Sequence, residues 1–227
     1  MKKIYTVLAI LTLFVTAETN AQSGQVYTTS GGEMIFSFAQ IDNNGNEKGN
    51  IMRFSPVFNL QNMVNYDMSP NFGVYSGLAV RNVGFIYKDP NTDIKKKYRN
   101  YNLGIPFGVK FGNLDGLFLY GGYELEIPFN YKEKTFEGER KTDKFNVWFS
   151  KRTPSIYNTV VLGVQFPYGA NLKFKYYLTN FFNKDYSEMQ NGVSVKPFEN
   201  FDANVFYFAL SFKLFRNTEI YYKDMRD

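Results

Sequence analysis

The sequence predicts an all-β protein: an antiparallel transmembrane β-barrel of eight strands, with short periplasmic turns and longer extracellular loops. Three observations carry that expectation. First, Leu117–Lys132 alternates along its whole length. Leu117, Leu119, Gly121, Tyr123, Leu125, Ile127, Phe129 and Tyr131 share one face, and Phe118, Tyr120, Gly122, Glu124, Glu126, Pro128, Asn130 and Lys132 share the other. Side chains alternate across a strand, so one face is apolar and the other carries charge. The usual strand has about five or six residues, whereas a strand that crosses a bilayer needs about nine to eleven. Second, similar segments recur, joined by connections that are alternately short and long. Third, the chain opens with an export signal. Lys2 and Lys3 precede the apolar run Ile4–Ala17, and Thr19-Asn20-Ala21 offers a cleavage site before Gln22. That run is too short for a spanning helix; an uncleaved anchor is the alternative. The expected organisation is therefore a signal peptide over 1–21, a barrel over 22–215 and a short periplasmic tail over 216–227.

Each strand has its own pattern. The first, Glu33–Ile41, sets Met34, Phe36 and Phe38 on one face. The second runs from Ile51 to about Asp67, with Met52, Phe54, Phe58, Leu60, Val64 and Tyr66 against Arg53, Ser55, Asn59, Gln61 and Asn65. The third, Phe72–Lys88, turns Phe72, Val74, Leu78 and Val80 outward and Arg81 inward. The fourth, Tyr98–Phe111, opposes Arg99, Tyr101, Leu103, Ile105, Phe107, Val109 and Phe111 to Asn100, Asn102, Gly104, Gly108 and Lys110. The fifth is Leu117–Lys132. The sixth, Ile156–Phe166, turns Ile156, Val160, Leu162, Val164 and Phe166 outward. The seventh, Leu172–Phe182, turns Leu172, Phe174, Tyr176, Leu178 and Phe182 outward and Lys173, Lys175 and Thr179 inward. The eighth, Asn204–Phe215, opposes Phe206, Phe208, Leu210, Phe212 and Leu214 to Tyr207, Ser211 and Lys213.

Met68–Asn71, Gly112–Gly116 and Pro167–Ala170 have turn compositions. Asp42–Asn50, Asp89–Lys97, Tyr131–Ser155 and Asn183–Ala203 are longer and polar. Bacterial barrels keep short turns in the periplasm and long loops outside, so the first strand runs outward and both chain ends lie in the periplasm. Pro106 and Pro128 interrupt spanning strands. Proline has no ladder donor, which predicts local bulges or places near the membrane rim.

Composition narrows the function. Aromatic residues make up 19% of the chain, with 24 Phe and 18 Tyr but one Trp, as expected of girdles at two membrane interfaces. The negative mean hydropathy disfavours a helical membrane protein. A net charge of +5, or +4 without Lys2, Lys3 and Glu18, is mild and dispersed and calls for no nucleic-acid partner. With no Cys, a lipidated-cysteine anchor, disulfides and a thiol nucleophile are excluded. With no His, the imidazole base on which several barrel enzymes depend is missing, and zinc loses its usual ligands. No cofactor is expected. Asp42–Glu47 has oxygen donors and a glycine, but lacks the spacing and closing Glu of a calcium loop.

The charged residues on the inward faces are Arg81, Lys110, Glu124, Glu126, Lys173, Lys175 and Lys213. Eight strands leave an interior just wide enough for side chains, and unpaired buried charge is costly. The expectation is a lumen plugged by Glu–Lys/Arg pairs. A narrow ion path is the alternative, and acid–base work by Glu124 and Glu126 a further one. In the loop Tyr131–Ser155, Arg140, Lys141, Trp148 and Arg152 are candidates for partner binding, since Arg and aromatic residues anchor interfaces. The competing reading is a strand extension with Trp148 in the outer girdle.

Tyr101-Asn102-Leu103-Gly104-Ile105-Pro106-Phe107-Gly108-Val109-Lys110 resembles the Tyr-Leu-x-Ile-Pro-Leu strand of small outer-membrane barrels of Bacteroidetes-type bacteria, the porin-like or PorT-like family. Leu119-Tyr120-Gly121-Gly122-Tyr123 is similar to that family's aromatic, glycine-bearing strand. Phe206–Phe215 resembles the aromatic terminal strand read by the barrel-assembly machinery, although here the chain continues to Asp227. Pattern and resemblance together imply a non-enzymatic outer-membrane protein with a structural or interaction role, accessory or adhesive, exerted through its extracellular loops. Its partners would be outer-membrane lipid and another envelope protein. A small porin-like channel is the second reading, and a soluble periplasmic lipocalin-like binder with inward apolar faces the third.

Overall fold

The computed structural model describes residues 24–43, 45 and 50–212. The expected signal peptide over 1–21, the expected tail over 216–227 and the residues Lys213, Leu214 and Phe215 lie outside the described residues.

Among the described residues there are thirteen strands: β1 (Gln25–Asn43), β2 (Asn50–Ile51), β3 (Arg53–Ser55), β4 (Leu60–Ser69), β5 (Phe72–Lys88), β6 (Ile94–Gly112), β7 (Phe118–Glu137), β8 (Arg140–Trp148), β9 (Tyr157–Gln165), β10 (Asn171–Tyr177), β11 (Glu188–Gln190), β12 (Val193–Val195) and β13 (Phe201–Phe212). Eight of them form an antiparallel ring in the order β1, β4, β5, β6, β7, β9, β10, β13. The ring closes where β13 pairs with β1, from Gly32 opposite Phe212 to Asn43 opposite Phe201. Closure pairs each of the eight ring strands on both sides, which is what allows a sheet to satisfy its backbone in lipid.

Alternation sorts the side chains. On β6, Leu103, Ile105, Phe107, Val109 and Phe111 are exposed, while Asn100, Asn102 and Lys110 are buried. Leu119, Ile127, Leu162, Leu172, Phe208 and Leu210 extend the exposed apolar band around the wall. From Tyr101 to Phe111 the strand covers about 34 Å at about 3.4 Å per residue. Tilted as in known barrels, it spans a height of about 25 Å, that of an outer-membrane apolar band.

The connections at one end are short: β4 to β5, β6 to β7, and β9 to β10 through a one-turn 3-10 segment, Pro167–Gly169. At the other end β7 and β8 form a hairpin that continues beyond the ring, from Asn130 opposite Trp148 to Glu137 opposite Arg140. There too β11 and β12 form a separate two-stranded sheet within the β10–β13 connection. β5 and β6 also stay paired up to Lys88 opposite Lys95. Ile94–Lys97 of the segment Asp89–Lys97, and most of Tyr131–Ser155, both read as loops from their polarity, are thus ladder above the apolar band.

The wall departs from the sequence expectation at several points for physical reasons. β1 begins at Gln25, and Gln25–Gly32 pairs with β4; this half is rich in Thr, Ser and Gly and shows no apolar alternation. The second strand is broken at 56–59, where the register against β1 shifts by two residues. Phe58 takes φ 61° there and is exposed. Side chains seal the break. Asn59 Oδ1 accepts the Asn82 amide at 2.7 Å, Asn59 Nδ2 donates to the Ser55 carbonyl at 2.8 Å, and Arg53 donates to Asn82 Oδ1 at 2.6 Å. A two-residue slip preserves parity, so the faces read for this strand still hold.

The two prolines behave differently. Opposite Asn102, Pro128 begins a bulge that shifts the β6–β7 register. Parity reverses beyond it, so Tyr131 is buried in the lumen and Lys132 pairs with outward Arg99. Pro106 makes no bulge; the β5–β6 ladder skips Gly77 and Leu78 and resumes in the same register. Finally, β10 ends at Tyr177. Phe182, expected outward, is only 1% exposed, because the chain leaves the wall and folds into the barrel mouth.

Candidate functional site

The lumen holds two stacked layers. The lower is ionic. Arg81, on β5, donates Nε–H to Glu124 Oε1 at 3.0 Å, Nη1–H to Glu33 Oε2 at 2.8 Å, and Nη2–H to Gln61 Oε1 at 3.1 Å and Glu124 Oε2 at 3.2 Å. Lys173 pairs with Glu33, and Lys175 with Glu126 and with Glu124 at 2.7 Å. Glu126 also accepts from Tyr177 at 2.7 Å and Asn102 at 2.6 Å. Arg81, Lys173 and Lys175 thus balance Glu33, Glu124 and Glu126, and all six are nearly or wholly inaccessible. Charge in low dielectric is tolerated only when it is paired and hydrogen-bonded in this way.

Five of the lumen residues singled out in the sequence meet here: Arg81, Glu124, Glu126, Lys173 and Lys175. Lys110 does not join them. It pairs with Asp67 nearer the short-turn end and donates to Tyr27 at 2.9 Å and Asn65 at 3.2 Å. Between the two groups lies a cavity of about 120 Å³, lined in part by Tyr27, Tyr75, Tyr120 and Lys173. Sequence reasoning missed Glu33 and Asp67 as partners. Glu33 was legible, since Met34, Phe36 and Phe38 outward put it inward.

The upper layer is aromatic. Phe182 stacks on Phe198 with ring centroids 4.2 Å apart and planes 4° from parallel, and on Phe201 at 5.0 Å. Its edge contacts include Tyr98 at 4.9 Å and Phe181 at 5.1 Å. Phe85 packs on Tyr98 and Phe181, each at 5.2 Å. Tyr157 donates to the Phe181 carbonyl at 2.7 Å and accepts from Asn100 at 2.7 Å, tying the plug to the wall.

The four loop candidates fall in three places. Arg140 and Lys141 lie exposed at the tip of the β7–β8 hairpin. Trp148 sits at its base, where it stacks on Phe129 at 5.9 Å and remains exposed, in the manner of a girdle residue. Arg152 is a clasp. It contacts Glu188 at 2.5 Å and Glu133 at 3.6 Å and lies 4.3 Å from the centre of the Phe145 ring. It therefore joins the β11–β12 connection to the hairpin.

Partial burial pushes the Glu188 carboxyl up, but hydrogen bonds from Gln190 and Tyr186 and the charge of Arg152 outweigh it and hold the group below its ordinary value. A carboxyl depressed in the folded state stabilises at pH above its unfolded pKa of about 4.3, and that stability is lost as pH falls through the folded value. The β10–β13 connection should accordingly become protease-sensitive below about pH 4, and Arg152→Ala should show the same cleavage at neutral pH. Cleavage of the wild type that does not change with pH would contradict the clasp.

Among the described residues no cluster of three or more Asp or Glu is placed to hold a metal ion. A closed ring of eight strands, an apolar outer band and an ion-paired lumen define a membrane-spanning β-barrel. No family model and no curated protein matches the chain. Among solved structures it is similar to Ail, the attachment invasion locus protein of Yersinia pestis, in complex with the heparin analogue sucrose octasulfate. The two share 11% identity and a TM-score of 0.37 over 82% of this chain and 98% of that one. It is also similar to Neisserial surface protein A (11%, TM-score 0.35, 83% and 96%). A further similar structure is the outer membrane protein OprG from Pseudomonas aeruginosa (12%, TM-score 0.37, 85% and 97%).

Proposed function

We propose that this chain is an outer-membrane β-barrel of the porin-like or PorT-like kind, without enzymatic chemistry, that acts as a structural or interaction protein through its outward end. In this reading residues 1–21 are the removed signal peptide and 216–227 stay in the periplasm. The observation that carries the reading is the contrast between the two parts of the molecule. Among the described residues the lumen holds an ion-paired layer, with each of its carboxylates paired, beneath an aromatic plug, which supports a barrel closed to solutes. The outer end is built instead: a hairpin rising from the wall, a second small sheet, and Arg152 joining them. A channel would need a route past both Arg81 and Phe182.

The test is a hairpin exchange. Replacing Thr135–Asp143 by Asn-Gly closes the ladder just below the tip, where Lys134 faces Lys144. Affinity purification of the full-length protein from outer membranes in mild detergent should recover an envelope partner in fixed ratio. The shortened barrel, still folded, should lose it. A barrel that purifies alone, or a partner kept by the shortened variant, would contradict the reading.

A further inference from the structure

The outer wall just above the apolar band carries a cationic cluster that neither the lumen nor the hairpin tip explains. Arg99 and Lys97 follow Tyr101 on the outward face of β6, and Lys132 and Lys134 face them from β7. The register sets Arg99 directly opposite Lys132, Lys97 opposite Lys134, and Lys134 opposite Lys144 of β8. Like charges directly across a ladder repel and destabilise it. Among the described residues none of these five forms an ion pair, whereas every charge of the central lumen does. Lys134 is partly desolvated and lies near Arg99, Lys141, Lys144 and Lys132; these effects hold its ammonium below the ordinary lysine value.

Aromatic rings fix the cluster in place. Lys97 lies 4.9 Å from the centre of the Phe136 ring, Lys95 5.5 Å from the same ring, and Lys132 4.8 Å from that of Tyr101. Lys97, Arg99, Lys132 and Lys134 line a cleft of about 300 Å³ with Arg53 and Phe136 among its walls. Directly beneath it, on the same strands, are exposed Leu103, Ile105, Phe107 and Ile127.

We propose that this cleft binds the phosphates of a phosphorylated glycolipid in the outer leaflet. The inference rests on the membrane placement argued under Proposed function. A row of cations one step above an apolar wall matches an amphiphile whose acyl chains run down the barrel while its phosphates meet the ammonium and guanidinium groups. Charge-assisted contacts of this kind are the strong ones, and basic clusters at the membrane surface are how proteins hold anionic headgroups. A soluble polyanion offers the same charges, but it has no use for the apolar wall and would find Arg140 and Lys141 at the tip more accessible.

The experiment compares the wild type with a variant carrying Lys97→Gln, Arg99→Gln, Lys132→Gln and Lys134→Gln. Both are extracted from the outer membrane in mild detergent, and bound phosphorylated glycolipid is quantified by mass spectrometry. Wild type should retain it in a fixed ratio, and the variant should lose it by about tenfold or more, a factor that 1.4 kcal/mol supplies. Removing like-charge pairs does not threaten folding, so the variant should stay at least as resistant to urea as wild type in lipid-free detergent. In defined vesicles, the wild type should lose the bound lipid when the glycolipid is replaced by its dephosphorylated form. Equal retention by both proteins, or a folded wild-type barrel from the outer membrane without glycolipid, would overturn the proposal. So would binding of a soluble sulfated polysaccharide through these four residues without any glycolipid. Recovery of the barrel outside the outer membrane would instead remove the placement on which the inference rests.

Discussion

Replacing Arg81 by leucine is expected to destabilise the barrel by about 3–5 kcal/mol, the usual cost of removing one member of a buried ion pair. Arg81 is fully buried and is the group that bridges Glu33 and Glu124. Without it, Glu124 keeps Lys175 and Glu33 keeps Lys173, so the central layer passes from neutral to one net negative charge in a space closed to water. The penalty comes from that uncompensated charge. Converting Glu124 to Gln together with Arg81→Leu should therefore recover part of the loss, because it restores neutrality and leaves Lys173–Glu33 and Lys175–Glu126 as matched pairs. Urea unfolding of the refolded proteins in lipid vesicles, followed by the shift on gels between unheated and heated samples, reads both effects. A loss below about 1 kcal/mol, the value typical of exposed pairs, would mean that the layer is wet.

The second large effect is expected at the aromatic plug. Phe182→Ala should cost about 3–5 kcal/mol, as for other large-to-small changes at buried aromatic residues. The ring has Phe198, Phe201, Tyr98 and Phe181 around it, all within 5.1 Å centre to centre, so the site has little means of collapse. Phe182→Leu should cost less, since it fills part of the space. The loss should appear first as faster proteolysis of the β10–β13 connection, because Phe181 and Phe182 anchor it in the mouth. An alanine variant as stable and as protease-resistant as wild type would show that the plug is not packed.

Much of this architecture is legible because a half-buried wall must alternate. β5, β6, β9 and β13 follow period-two patterns, and their inward polar residues are those the alternation selects. Parity says which face a side chain joins, not where the chain leaves the wall. That is why Phe182 reads as outward: the alternation continues past Tyr177 while the backbone turns into the mouth. Parity is also blind to a bulge. Pro128 marks one, but nothing local says that the reversed face puts Tyr131 inside and Lys132 outside. The two-residue slip at 56–59 has no pattern signature, because an even shift leaves both faces unchanged. The first half of β1 is missed because Thr, Ser and Gly carry no apolar contrast.

The lumen was legible as composition and not as pairing. Charges on inward faces of a narrow barrel must be compensated, which points to Arg81, Glu124, Glu126, Lys173 and Lys175 as a set. Who meets whom depends on the height of each residue in a closed ring. Arg81 and Glu33 are 48 residues apart in sequence and meet across β4; Lys173 and Glu33 are 140 apart, and the closure between β13 and β1 brings them together. Lys110 shares the inward parity but lies too near the short-turn end to join them. The cationic row of the outer wall was hidden for a related reason: Lys95, Lys97 and Lys134 read as polar loop and Lys132 as inward, until the extended ladder and the bulge at Pro128 place them beside Arg99 on one face.

A barrel that works through its exterior has a lumen closed to solutes. Single-channel recording of the refolded wild-type protein in planar bilayers tests it most directly, with gel-shift and protease protection establishing that the protein is inserted and folded. The expected result is a silent bilayer. A steady, voltage-independent conductance from the folded wild type would contradict it and would make the lumen, not the outer end, the functional site.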